Sequence, residues 1–208
     1  MGMVRNFLKK IRRYFPLIKG LQTSLLLATG MAGYLSAHTD FILSQFLGMA
    51  ASLFLTISGS TILNMWYDRD IDTVMARTHN RPLASGQVSQ SEALRLGLTL
   101  ALVGVGWAAL LNGLFALVVF AGLFFDVVVY TIWLKRRTCW SIVWGGISGG
   151  MPILAGRILA EGHIDLIGLL LSAAVLFWIP THILTFSMRY DEDYRAAKVP
   201  TFPSTYGF

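Results

Sequence analysis

The 208-residue chain is short of charge and shorter still of cysteine. Only 13% of its residues are Asp, Glu, Lys or Arg, 55% are hydrophobic, and mean hydropathy is +0.61. That balance excludes a disordered chain and a water-soluble domain of this length. The single cysteine, Cys139, excludes an intramolecular disulfide framework and a thiolate metal site, both of which need several. No stretch rich in Pro, Gly or Ser divides the chain, so one domain over 1–208 is expected. No acid precedes Asp40, and no small-residue cleavage site follows a short apolar core, which argues against a cleavable signal peptide. The short alternating segments of a membrane β-barrel are missing too.

What is present is a series of long apolar blocks. In a window of about 19 residues they fall at 17–36, 43–66, 93–112, 114–134, 141–160 and 166–189. Each is long enough to cross about 30 Å of hydrocarbon as a helix, so the chain is expected to be an all-α, multi-pass transmembrane bundle of six helices. All but Arg157 of the 17 Lys and Arg lie beside the start of the first block, between or beside the second and third, after the fourth, or after the sixth. That asymmetry predicts cytoplasmic termini in the cell membrane. The net charge of +6 is scattered over helix ends, which suits contact with membrane lipids and not with nucleic acid. Residues 1–16, where cations alternate with Phe7, Leu8, Ile11, Tyr14 and Phe15, are expected to form a basic interfacial helix.

The stretch from Asn64 to Asp72 carries the most chemistry. Asn64, Asp68 and Asp72 recur every four residues and on one helix would share a face, about 6 Å apart along its axis. That is too open for a closed cage but suits Mg²⁺ shared with a bound phosphate. A solvated acidic face balanced by Arg69 and Arg77 is the plainer alternative. Three features favour the metal: the triplet continues an apolar block, a second cluster at Asp191, Glu192 and Asp193 leaves the same membrane face, and Arg77, Arg81, Lys135, Arg136, Arg137, Arg189 and Arg195 lie between them. The segment Tyr67-Asp68-Arg69-Asp70 is echoed by Tyr190-Asp191-Glu192-Asp193. Acids beside bases above an apolar bundle suggest a substrate with a diphosphate head and a hydrocarbon tail. The loop from Arg77 to Gly86 would cap that mouth, with His79 as an ordinary solvated histidine.

Two polar groups lie inside the blocks. Asp126 and His182 are each about 12 Å deep, so they are expected either to pair or face one cavity, or to make satisfied structural hydrogen bonds. Pro152 and Pro180 are expected to interrupt their helices, and Trp66, Trp133, Trp140 and Trp144 to anchor the interface.

Asn64-x-x-x-Asp68-x-x-x-Asp72 followed by Arg77-Thr-x-Asn-Arg81-Pro-Leu-Ala-Ser-Gly86 resembles the first signature of the UbiA superfamily of intramembrane prenyltransferases. Tyr130-Thr-Ile-Trp-Leu-Lys135-Arg-Arg-Thr138 and Trp178-Ile-Pro-Thr-His182 resemble its protohaem IX farnesyltransferase branch. The resemblance implies that Asn64, Asp68 and Asp72, with Asp191 and Asp193 opposite, hold Mg²⁺ on farnesyl diphosphate. Arg77, Arg81, Lys135 and Arg189 would assist the departing diphosphate. An allylic carbocation, stabilised by aromatic faces, would then be captured by a vinyl group of haem B, with Tyr130 and His182 contributing to substrate binding and a haem-modifying enzyme as a partner, and Asp126 stays a substrate-binding candidate on its depth in the helix. Asp126, Cys139 and the close spacing of Asp191 and Asp193 depart from the family pattern. The family generally has nine helices, so a chain with six is expected to be truncated after Phe208, with less to close its cavity. Two alternatives stay open: a UbiA-type enzyme acting on an aromatic quinone precursor or a lipid alcohol, and a cation-binding transporter or scaffold.

Overall fold

The computed structural model describes residues 14–37 and 39–207, so the expected interfacial helix over 1–16 lies almost wholly outside the described residues. A 3-10 turn, Phe15–Ile18, leads into α1 (Gly20–Leu35), followed by α2 (Leu43–Tyr67), the short α3 (Arg69–Val74), α4 (Gln90–Leu111), α5 (Gly113–Phe124), α6 (Ser141–Glu161), α7 (Leu166–Arg189), and the short α8 (Asp191–Ala196) and α9 (Phe202–Tyr206). α5 continues into a π-helix, Phe125–Leu134, so that the two together form one apolar rod. Among the described residues five rods have the length and apolarity to cross a membrane: α2, α4, α5 with its π extension, α6 and α7. The first block differs from expectation. Lys19 adopts a left-handed conformation (φ 45°), which splits the 3-10 turn from α1 and leaves a helix of 16 residues.

α2 packs along α4, and α6 is the hub, touching α1, α5 and α7. The α1–α6 crossing is close enough to demand glycine. A Cβ on Gly33 would fall 2.0 Å from the Ile153 carbonyl oxygen, and one on Gly156 would fall 2.0 Å from that of Gly30. Without a hydrophobic force between helices in lipid, such small-residue contacts supply the packing. Hydroxyls add crosslinks: Ser52 donates to the Gly104 carbonyl and Ser172 to that of Gly150, each at 2.8 Å.

Pro152 and Pro180 do not interrupt their helices; both α6 and α7 run through them. Trp133, Trp140 and Trp144 are exposed as anchors should be, whereas Trp66 packs on a core of Leu17, Ile62 and Met65. At the far end, Arg157 is 2% exposed and gathers three helix ends. It binds Asp165, the N-cap of α7, at 2.6–2.9 Å, and the Ser36 carbonyl at the end of α1 at 2.6 Å. The one cation set apart by sequence position is a structural clamp.

Candidate functional site

The end of the bundle opposite Arg157 gathers the C-termini of α2 and α7, the end of the π-helix and the start of α1. α2 stops at Tyr67, and the chain turns at Asp68 (φ −88°, ψ 9°) before α3 begins. Asn64, Asp68 and Asp72 are therefore not on one continuous helix. The i→i−4 amide bonds Asp68 to Asn64 and Asp72 to Asp68 survive at 2.9 Å, so the spacing persists while each side chain meets its own partner.

Asp68 is 3% exposed and ion-paired with the Lys135 ammonium through Oδ2. Burial opposes charge on Lys135, but the Asp68 carboxylate outweighs it and holds the ammonium above its ordinary pKa. The other Asp68 oxygen, Oδ1, is buried with no hydrogen-bond partner, and Arg136 Nη2 lies 3.8 Å from it. Asp72, 5% exposed, takes Arg81 Nη1 at 2.8 Å on both oxygens. Arg136 grips the exposed Asp70 with two bonds of 2.7 Å, and that hydrogen bonding, opposed by partial burial, lowers the Asp70 pKa. Asn64 donates to Asp126 Oδ2 at 2.8 Å and its Oδ1 lies 2.9 Å from the Thr131 hydroxyl.

The second acidic cluster repeats the local design of the first. A long helix again stops beside a tyrosine, α7 ending at Arg189 with Tyr190 (φ −117°, ψ 30°) as its cap, and a six-residue helix follows, so the four-residue echo falls at a similar break, shifted by one residue. Asp193 accepts from the Ala76 and Arg77 amides at 2.9 and 3.2 Å, which ties α8 to the loop after α3. Asp191 binds Arg195 through Oδ2 at 2.6 Å, and its Oδ1, like Asp68 Oδ1, is buried without a partner. Among the described residues no three acids, histidines or cysteines converge into one cluster. Asp68, Asp70, Asp72 and Asp191 are each held by a cation and Asp193 by backbone, and two carboxylate oxygens at equivalent positions of the echo are left over.

Arg77 stacks over the rings of Phe186 (4.8 Å) and Tyr190 (5.3 Å), and with Arg189 it borders an open cleft of about 590 Å³ between the loop after α3 and the α7–α8 junction. Tyr130 lies below Lys135, whose ammonium is 5.7 Å from the ring centre. His79 bonds only the Ala76 carbonyl and is exposed, as its sequence context suggests.

Asp126 and His182 do not meet. Asp126 bonds Ser60 and Asn64 of α2, while His182 is exposed on α7, stacked at 5.0 Å on Trp178. Equal depth fixes two groups at one level of a bundle but not the direction in which each faces. His182 instead belongs to a column on α7, Trp178, His182, Phe186 and Tyr190, which ends under Arg77.

Sequence reasoning treats Lys19 only as an orienting charge. In the structure it is half-buried, in left-handed backbone, and within electrostatic reach of Arg81, Lys135, Asp126 and Asp72. Burial first, then the two cations, lowers its pKa to about 8. Among the described residues it has no ion pair. Its charge before the first apolar block is legible, but its backbone strain is not.

A model of the UbiA prenyltransferase family matches residues 25–208. The chain is 45% identical to a protohaem IX farnesyltransferase from Archaeoglobus fulgidus, over 96% of its own length and 70% of that protein's. It is 43% identical to the protein of that name from Korarchaeum cryptofilum, over 98% and 69%. Its fold matches a UbiA homologue from Archaeoglobus fulgidus bound to DMAPP and Mg²⁺ with a TM-score of 0.80 at 19% identity, covering 94% of this chain and 69% of that one. It also matches an apo UbiA homologue from Aeropyrum pernix with a TM-score of 0.74 at 27% identity, covering 88% and 69%.

Proposed function

Because the chain belongs to the UbiA prenyltransferase family, we propose that it transfers a farnesyl group from farnesyl diphosphate to protohaem IX, with Mg²⁺ and with the diphosphate at the mouth formed by α3, α8 and the end of the π-helix. The observation that carries the reading is the pair of orphaned carboxylate oxygens, Asp68 Oδ1 and Asp191 Oδ1. A buried acceptor without a donor costs about 1–3 kcal/mol. A divalent cation removes that cost, and hard oxygen donors are what Mg²⁺ takes. Solved relatives of this fold hold DMAPP or GPP together with Mg²⁺.

When bound, Mg²⁺ supplies charge neutralisation to the leaving diphosphate. The chain's own residues do the rest. Asp68 and Asp191 hold the cation, with Asn64 Oδ1 as a further oxygen. Asp72 keeps Arg81 extended toward the mouth and Asp193 fixes the loop that carries Arg77, so neither needs to touch the metal. Lys135, Arg81, Arg77, Arg189 and Lys19 are the donors for diphosphate oxygens, arginine by paired N–H groups and lysine as a point charge. Tyr130 presents a ring beneath Lys135, placed to stabilise an allylic cation by its face. The column from Trp178 to Tyr190 offers flat faces to a porphyrin, with Arg77 at its end for a carboxylate. The mouth faces the cytoplasm of a cell whose membrane holds the protein, 1–208 acting as one domain. The family shows prenyl transfer; names of relatives point to haem as acceptor.

Membranes carrying the protein, given labelled farnesyl diphosphate with protohaem, an aromatic quinone precursor or a lipid alcohol, are expected to label the haem. Label on another acceptor overturns the haem assignment. Mg²⁺ binding without diphosphate release would favour a transporter or scaffold. Asp68→Asn is expected to lower turnover about 10²-fold or more with the protein still inserted.

A further inference from the structure

Asp126 is the charged residue that the proposed chemistry leaves without a task. It stands in the π-helix Phe125–Leu134, a helix type that is rare and concentrated at functional sites. Its Oδ2 receives both the Ser60 hydroxyl and the Asn64 amide nitrogen, and the Thr131 hydroxyl lies 2.9 Å from both Asn64 Oδ1 and the Asp126 carbonyl. Ser60 and Thr131 are buried, at 6% and 0% exposure. In an α-helix, positions five apart point about 140° from each other. The π register instead brings 126 and 131 together, so that both grip one side chain of α2.

That side chain is Asn64, one turn before Asp68. Its amide has two unlike ends: an oxygen that can serve a cation or accept a donor, and an NH₂ that can do neither. Either end could face the mouth, since the group rotates as a unit. A carboxylate accepts and does not donate, so Asp126 takes the NH₂ end. Thr131, with one hydroxyl hydrogen shared between two acceptors, marks the oxygen end and leaves a lone pair of Oδ1 unclaimed.

We propose that Asp126 is a positioning residue: it turns the Asn64 amide so that Oδ1 is presented to the cation and diphosphate, and its effect on cation binding runs through Asn64. The inference rests on the reading of the mouth as a Mg²⁺-diphosphate site.

The test is a double-mutant cycle read by Mn²⁺ binding, followed by electron paramagnetic resonance on the purified full chain with inorganic pyrophosphate present, alongside the Mg²⁺ concentration for half-maximal turnover. Asp126→Asn, which can satisfy either end of the amide, is expected to weaken Mn²⁺ binding and raise the Mg²⁺ requirement about tenfold, with the acceptor KM unchanged. In the Asn64→Ala background the same substitution is expected to change neither. Equal losses in both backgrounds, or no loss in either, overturn the proposal. Thr131→Val serves as a second variant where Asp126→Asn fails to accumulate; a smaller loss that also vanishes with Asn64→Ala supports the proposal, and an additive one overturns it. Asp68→Asn separates the two levels. If it leaves Mn²⁺ binding intact, the site reading itself fails. If it abolishes binding while the cycle is additive, only the role of Asp126 fails.

Discussion

Lys19 illustrates how a single residue acquires a role that its type does not announce. Its ammonium sits in strained left-handed backbone beside two other cations, conditions that disfavour charge until an anion arrives. With its pKa lowered from 10.5 to about 8, Lys19 is protonated below pH 8 and loses its proton as pH rises through that value, while an unfolded lysine keeps it to 10.5. Folding stability therefore gains from Lys19 as pH climbs from about 8 toward 10.5, and diphosphate binding loses over the same interval. Steady-state kinetics across this range are expected to give a prenyl diphosphate KM that rises above pH 8 in the parent protein. The rise should be absent in Lys19→Arg, and in Lys19→Met KM should be about tenfold higher already at pH 7. At this scale the sequence pointed to acids and bases at one end of the bundle, and the structure pairs them there, Asp68 with Lys135 and Asp72 with Arg81, with Asn64 turned to Asp126. It was silent on Lys19 and left two readings of Asp126 and His182 open; the structure gives Asp126 hydrogen bonds to Ser60 and Asn64 and no pairing with His182, because depth along a helix says nothing of azimuth.

At the scale of elements, apolar blocks predicted α2 and α4–α7 to within a few residues, since a run of about 20 apolar residues in lipid has little choice but a helix. The exceptions each have a local cause. Lys19 shortens α1, Asp68 and Tyr190 end long helices ahead of short ones, and the π register appears where Asn64 is held between Asp126 and Thr131. None of these leaves a trace in hydropathy. Along their crossing α1 and α6 meet through small residues: Gly33→Val, aimed at the Ile153 carbonyl, is expected to drive α1 off α6 and lower the thermal midpoint in detergent by several degrees, more than Gly106→Val, which faces open space. Arg157→Leu should cost about 1–3 kcal/mol by leaving the Ser36 carbonyl unpaired. Hydrogen bonding by Arg157 holds Asp165 at a pKa of about 2, below its ordinary 3.8, so the clamp's contribution is present above pH 3.8 and is lost as pH falls through 2. In an acid titration the gap between the parent and Arg157→Leu should therefore narrow through that range and level off at the part contributed by the Ser36 bond.

For the whole molecule, the placement of cations at one end gives a topology that can be read directly. In a Cys139→Ser background, Glu192→Cys is expected to react with a membrane-impermeant maleimide only from the cytoplasmic side and His163→Cys only from the other; the reverse pattern would invert the mouth. The sequence by itself determined that the chain is a helical membrane protein and where its long helices fall. These follow from transfer free energies and from helix periodicity, both local properties. Only the tertiary structure decided which oxygens of the acids remain free, that Asp193 is spent on the backbone of a loop 116 residues away, and that the Asp126 carboxylate in the π-helix takes the Asn64 amide. Such choices depend on which groups face each other across helices, and no property of a single segment encodes that.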